Sequence, residues 1–255
     1  MPAEVLAPAG DPAPARPGRL RRRLVTASAA VLALVCLGAA IVAAGRAHAE
    51  QTRPPTRAEE AAAGALGVAS RWSREPAGLI FPATLAYYSN LLDKETARRA
   101  GISPVSACPA ALDAKVAATA RRDGCQAVLR ASYVDQLGGV VYTIGVLAFP
   151  APKQAAAFVA SYQTSQNPVR GLHAAAFPGT AAAAFTDLAR QLASAGQYGP
   201  YAVLTVSGYT DGRSASATGE RQTVPFEPDT QLAGDVGTPL SQPVTVTCRR
   251  PEWSC

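Results

Sequence analysis

Lysine, histidine and aromatic residues are scarce in this 255-residue chain, and each scarcity removes a class of function. The only imidazoles are His48 and His173, so general-base chemistry of the Ser-His-Asp kind rests on His173 alone, with Asp187 and a serine as its nearest partners by type. No Gly-x-Ser-x-Gly elbow supports that choice. Cys-x-x-Cys spacing is missing, which leaves no zinc motif, and calcium loops, phosphate-cradling glycine loops and paired catalytic carboxylates are missing too. No cofactor is therefore expected. The net charge of +6 is not a nucleic-acid signature, because part of it sits in one N-terminal cluster and the rest is scattered without aromatic interleaving.

That cluster, Arg19, Arg21, Arg22 and Arg23, abuts an uncharged run from Leu24 to Gly45. The run is long enough to cross a hydrocarbon core of about 30 Å at about 1.5 Å per helical residue. The positive-inside rule puts the N-terminus in the cytoplasm and everything after Arg46 outside. Residues 1–23 read as a disordered cytoplasmic tail, 24–45 as a transmembrane helix and 46–75 as a juxtamembrane stalk helix opened by the capping-box pair Thr56 and Glu59. The rival is a signal peptide cleaved after Ala49, because Ala47-His48-Ala49 fits the small-x-small pattern, but the apolar run exceeds the usual signal core. In either case the rest of the chain is extracytoplasmic, on the cell membrane or secreted.

Cys36 lies in the apolar run. Cys108, Cys125, Cys248 and Cys255 lie in the part placed outside, where disulfides persist. Four cysteines allow three connectivities, and proximity in sequence favours Cys108 with Cys125 and Cys248 with Cys255. An unbroken helix from Pro109 to Arg122 would be about 21 Å long, whereas bridged Cα atoms lie within about 7 Å. The first bridge therefore requires a short helix starting at an Asp113 N-cap, so that Cys108 can double back toward Cys125.

Residues 76–215 read as one α+β domain, and 216–255 as an extended C-terminal segment with a final strand at 243–248. The expected elements are a strand at 79–88, a short helix at 91–100, the short helix before Cys125, and two strands at 126–134 and 140–149. The last two are joined by the glycine-containing loop 135–139 as a hairpin. Pro152 opens a helix with Ala155, Phe158, Val159 and Tyr162 on one stripe. A weak strand at 168–177, an alanine-rich helix at 181–195 and a strand at 200–209 follow. The order matches the split βαβ pattern of a ferredoxin-like antiparallel sheet with an added C-terminal strand.

Pairing the hairpin about its loop sets Leu129, Ala131 and Tyr133 beside Tyr142, Ile144 and Val146 on one face. The other face mixes Val128, Arg130, Ser132 and Val134 with Val141, Thr143, Gly145, Leu147 and Phe149. It is too apolar for open solvent, so something covers it. The cover is the chain's own stalk or C-terminal segment, or else a partner or ligand that meets Arg130, Ser132 and Thr143. Tyr209, in Gly208-Tyr209-Thr210-Asp211-Gly212-Arg213, is the further ligand candidate, although Asp-Gly there is also an ordinary turn.

The stretch Cys125-Gln126-Ala127-Val128-Leu129-Arg130-Ala131-Ser132-Tyr133, with Val140 to Pro150, resembles single-pass membrane-anchored actinobacterial proteins with an extracytoplasmic α+β domain. The resemblance spans roughly residues 79–215. That group has no assigned activity, so it implies a compartment and a fold and transfers no site residues. The expectation is a non-enzymatic, membrane-tethered interaction module of the cell envelope, acting on an envelope protein or by self-association. The alternatives are a small-molecule or lipid sensor using Arg130 and Tyr209, and a hydrolase using His173.

Overall fold

The computed structural model describes residues 18–89, 93–163, 171–218 and 224–246. It divides into two compact units, Met1–Pro55 and Thr56–Cys255. The first holds α1, Arg19–Thr52, within which the stretch Arg22–Glu50 contains an 18-residue window of mean hydropathy 2.5 and is long and apolar enough to cross a membrane. Pro54 disfavours helical geometry in the residue before it, and Arg53 is accordingly extended, which ends the helix.

The second unit is α+β. Its sheet has six strands: β1 Thr84–Tyr88, β2 Lys94–Ser106, β3 Ala127–Val134, β4 Val140–Ala148, β5 Arg190–Tyr198 and β6 Tyr201–Tyr209. They lie in the order β1-β2-β3-β4-β6-β5, every neighbouring pair antiparallel. The helices are α2 Arg57–Ala69, the single turns α3 Arg71–Arg74, α4 Ala77–Ile80 and α5 Cys108–Ala111, then α6 Ala114–Arg122, α7 Pro152–Gln163 and α8 Asp229–Ser241.

The hairpin register is the one the alternation requires: Leu129 faces Val146, Ala131 faces Ile144 and Tyr133 faces Tyr142. The turn is held by Asp135, whose Oδ1 accepts the Val140 N–H at 2.7 Å, while Gly138 supplies the positive φ of 76°. The first face packs against Leu232, Val236 and Leu240 of α8 and against Val68 and Phe81. On the second face Val128, Val141, Leu147 and Phe149 meet Val116, Ala117 and Ala120 of α6 and Ala155, Phe158 and Val159 of α7. Each large side chain so buried contributes about 1.5–3 kcal/mol. With helices on both faces, β4 is buried along its whole length.

The capping box at α2 is complete: Thr56 Oγ1 accepts the Glu59 N–H, and Glu59 Oε2 accepts the Thr56 N–H at 2.8 Å. The helix expected as a stalk belongs to the compact unit, burying Ala63, Gly64, Gly67 and Val68. Just after it, the Arg71 guanidinium donates to the carbonyls of Pro239, Leu240 and Gln242, which occupies bond-seeking oxygens at the C-terminal end of α8.

The either-or at the cysteines resolves in favour of the bridge. Asp113 stands at the N-cap of α6, the helix is nine residues long, and Cys108 and Cys125 are bonded with Cα atoms 6.4 Å apart. Cys248 and Cys255 lie outside the described residues, as do residues 1–17 of the expected tail.

Several expectations give way to long-range pairing. The split βαβ order is replaced by a meander through β1 to β4, because no described strand pair is parallel. The first strand begins only at Thr84, after the turn α4. The helix expected at 91–100 is β2 where it is described, since residues 94–98 pair with β1 and residues from 98 onward pair with β3, outweighing a helix preference of a few tenths of a kcal/mol per residue. The helix expected at 181–195 is a set of turns followed by β5, drawn into the sheet by its two-residue connection to β6 at Gly199-Pro200. Residues 171–177 form no strand and make one bridge, Leu172 to Leu112, and 168–170 lie outside the described residues. The C-terminal segment expected as extended contains α8, and its described residues up to 246 form no strand.

The bridge closes a loop over the second face. Replacing Cys108 and Cys125 with serine should lower unfolding stability by about 3 kcal/mol, the loop-closure value for a loop of this size. Urea unfolding followed by circular dichroism checks it.

Candidate functional site

The second sheet face is covered by the chain itself, along residues 171–189. Two glycines in the strands make room for it. A Cβ on Gly145 of β4 would stand 2.5 Å from the Leu172 side chain, and one on Gly101 of β2 would stand 2.3 Å from the Phe177 ring. The segment's apolar side chains thus seat directly on bare backbone.

Its backbone is held by side chains. The Ser132 hydroxyl donates to the Ala175 carbonyl at 2.6 Å and lies 2.7 Å from Thr143 Oγ1, which in turn accepts the Ala175 N–H at 3.1 Å. Arg130 donates to the His173 carbonyl at 3.1 Å, and Arg190 to the Leu172 carbonyl at 2.8 Å. Asp113 accepts the Gly171 N–H at 2.7 Å and Asp187 accepts the Ala174 N–H at 2.7 Å. A buried hydroxyl left unpaired costs about 1–3 kcal/mol, so Ser132 and Thr143, both fully buried, need this segment as much as it needs them.

This accounts for three of the four residues expected on a partner or ligand face. Ser132 and Thr143 have no exposed surface, and Arg130 is half-buried against the covering segment. The cover is neither the stalk nor the C-terminal segment but the stretch between α7 and β5. Tyr209 packs on the opposite face, with its ring 5.2 Å from Phe226 and the Arg213 guanidinium 4.0 Å above it. Arg130 and Tyr209 therefore share no pocket. Asp211 accepts the Arg213 N–H at 3.0 Å and Gly212 has φ 76°, so this motif forms a turn with a stacked cation.

The structure does bring His173 and Asp187 together: His173 Nδ1 is 2.6 Å from Asp187 Oδ2, with Asp113 Oδ1 at 4.0 Å. Asp113 is itself paired through two oxygens with Arg190, at 2.9 and 3.2 Å. An imidazole oriented by a carboxylate is half of a nucleophile-activating set. Among the described residues no hydroxyl or thiol bonds to the His173 ring. Burial pushes the Asp113 carboxyl up, but the Arg190 guanidinium and the Gly171 N–H outweigh it and hold the group below its ordinary range. Burial lowers the proton affinity of Arg130, opposed by the charge of Asp187.

A second polar cluster lies beneath α8. Asp229, in its first turn, is 1% exposed and accepts from Thr205 Oγ1 at 3.1 Å, while Thr205 is 2.6 Å from Ser194 Oγ. Burial raises its carboxyl to about 6, with the Ser194 and Thr205 hydroxyls and the Thr230 N–H only partly offsetting it. No cation is among the causes acting on it.

Arg190 and Asp229 were invisible in the sequence because they fall in segments that read as an alanine-rich helix and an extended tail. Gly145 and Gly101, each inside a strand, were the available signal that another part of the chain approaches closely. Two open grooves flank α2. One of about 450 Å³ involves Leu66, Trp72, Gln126 and Pro150, and one of about 380 Å³ involves Gly64, Val68, Pro200 and Val244. Comparison with protein-family models, curated proteins and solved structures finds no match for this chain.

Two predictions arise from these contacts. Gly145→Val should push Leu172 off the sheet and cost about 1–3 kcal/mol in denaturant unfolding, the usual penalty for overpacking. Asp229 gains a proton more readily folded than unfolded, so its contribution to stability is present at low pH and is lost as pH rises from about 4 through about 6. Asp229→Asn should remove that loss and raise stability at pH 7.5 by at most about 3 kcal/mol, read from melting curves across pH 4 to 8.

Proposed function

We propose that the chain is a membrane-tethered, extracytoplasmic protein-interaction module of the bacterial cell envelope, without catalytic activity of its own. The observation that carries the reading is the apolar helix α1, followed after three residues by a compact α+β unit that contains a disulfide. A disulfide is at home outside the cytoplasm, and the arginines at the start of α1 favour an N-terminus inside. The length of α1 and the arginine-rich start favour an uncleaved anchor over a signal peptide cleaved after Ala49. The resemblance to single-pass actinobacterial membrane proteins supports the same compartment. Because both sheet faces carry the chain's own helices and covering segment, partner binding belongs to edges and outer surfaces instead of the Arg130 face.

The grooves beside α2 favour a second reading, a small-molecule or lipid sensor, since their volumes fall within the range of ligand sites. A ligand there should raise the melting temperature of the full chain in detergent, and Trp72→Ala should abolish the shift. The hydrolase reading has only the His173 and Asp187 pair in its favour.

The interaction reading is tested in intact cells of the native host. A membrane-impermeant thiol reagent should label Leu137→Cys, on an exposed hairpin loop, in a chain that remains in the membrane fraction. Crosslinking of the tagged chain should then recover a defined envelope partner or a second copy. Protection of the cysteine in intact cells, with labelling only after lysis, would place the unit in the cytoplasm and contradict the proposal.

A further inference from the structure

The two edges of the sheet are not alike. β1 is five residues long, follows Pro82, and its end is closed by α8: Gln231 Oε1 accepts the Tyr88 N–H at 3.0 Å and Gln231 Nε2 donates to the Tyr88 carbonyl at 3.1 Å. β5 is nine residues long and has no such closure among the described residues. The Phe149 N–H donates to the Pro200 carbonyl, so Tyr201, Val203, Thr205 and Ser207 present their backbones to β5. Their partners Tyr198, Gly196, Ser194 and Leu192 turn inward, and Ala193, Ala195 and Gln197 turn their N–H and C=O groups outward. Among the described residues nothing bonds to those outward groups.

Folded proteins guard such an edge with charge, proline or a covering element. From Gln191 to Tyr198 there is no charge and no proline, and the outward-turned positions carry two alanines and a glutamine. The one irregularity, a register shift between Arg190 and Leu192, stands at the strand's beginning and leaves the rest straight. The strand's residues are mostly half-exposed, whereas β6 beside it is buried almost throughout.

Deepening the interaction-module reading, we propose that β5 pairs antiparallel with β5 of a second copy of this chain, joining two six-stranded sheets into one across a two-fold axis at Ala195. The sequence is self-complementary about that point. Ala195 meets its own copy, Ala193 meets Gln197 in both directions, and about six backbone hydrogen bonds form with no like charges opposed. The small side chains leave the backbones free to approach at the usual spacing of about 4.8 Å. Two chains anchored in one membrane also meet at a raised effective concentration.

The test uses the full chain in detergent micelles and in lipid nanodiscs. Ala195→Pro removes one outward donor and fills the edge without breaking a bond to β6, and Ala86→Pro makes the same change on the β1 edge. Native mass spectrometry should find dimers in the parent chain and in Ala86→Pro, with dimerisation weakened about tenfold or more in Ala195→Pro. Should proline prevent folding, Gln197→Cys gives an independent reading. The two copies of this exposed position stand four residues apart along the paired strands, and a bis-maleimide reaching about 14 Å should link them above the parent's level. Lys94→Cys, at the exposed start of β2, should not be linked. A parent chain that stays monomeric in both environments, or a dimer indifferent to Ala195→Pro and not linked through Gln197→Cys, would overturn the proposal. If the monomeric chain still recovers a different envelope protein from its native membrane, the module reading stands and β5 self-pairing falls.

Discussion

The bond from the Ser132 hydroxyl to the Ala175 carbonyl, closed into a ring through Thr143, is the contact on which the rest of the outer unit depends. It puts two hydroxyls in the middle of a six-stranded sheet, on a face whose buried side chains are mostly apolar. Hydroxyls at that depth are tolerable only if something returns their bonds. The segment 171–177 does so, and in exchange receives a seat for Leu172 over Gly145 and for Phe177 over Gly101. Arg130, Arg190, Asp113 and Asp187 complete the fastening at its margins.

Much else follows from that closure. The covering segment sets the path from α7 to β5, and so allows β5 to return along the far side of β6. Asp113 serves twice, beginning α6 so that Cys108 can reach Cys125 and then turning its carboxylate to Gly171 and Arg190 instead of capping its own helix. The second face combines apolar packing on α6 and α7 with polar bonds to one irregular segment, and the first packs on the apolar face of α8, where Asp229 is the one buried carboxylate among the described residues. The two layers therefore respond to acid in opposite senses. Asp113 loses its stabilising charge as pH falls toward and below its ordinary range, whereas Asp229 is at ease when protonated.

What could be read from the residues was local. The hairpin register followed from alternation about a five-residue loop, the α7 stripe from helical spacing, and the α2 start from Thr56 and Glu59. The Cys108–Cys125 bridge was legible because a helix length can be set against a Cα distance. The misreadings came where pairing is long-range. Nothing in Lys94 to Ala100 opposes a helix, and only the two flanking strands make it β2; alanines in 181–195 favour a helix until β6 offers a ladder. The mixed face reads as covered, but residues 171–177, with little periodicity and bonds made largely to side chains, carry no signal that they are the cover.

Hydrogen exchange at the amides of Gly171, His173, Ala174 and Ala175 tests the closure most directly, since each donates to a named acceptor in the structure. The account predicts that these amides exchange only with unfolding of the outer unit, as slowly as those of β3 and β4. Exchange at the rate of an open loop, while β3 and β4 stay protected, would contradict it and leave the Arg130 face free for a partner.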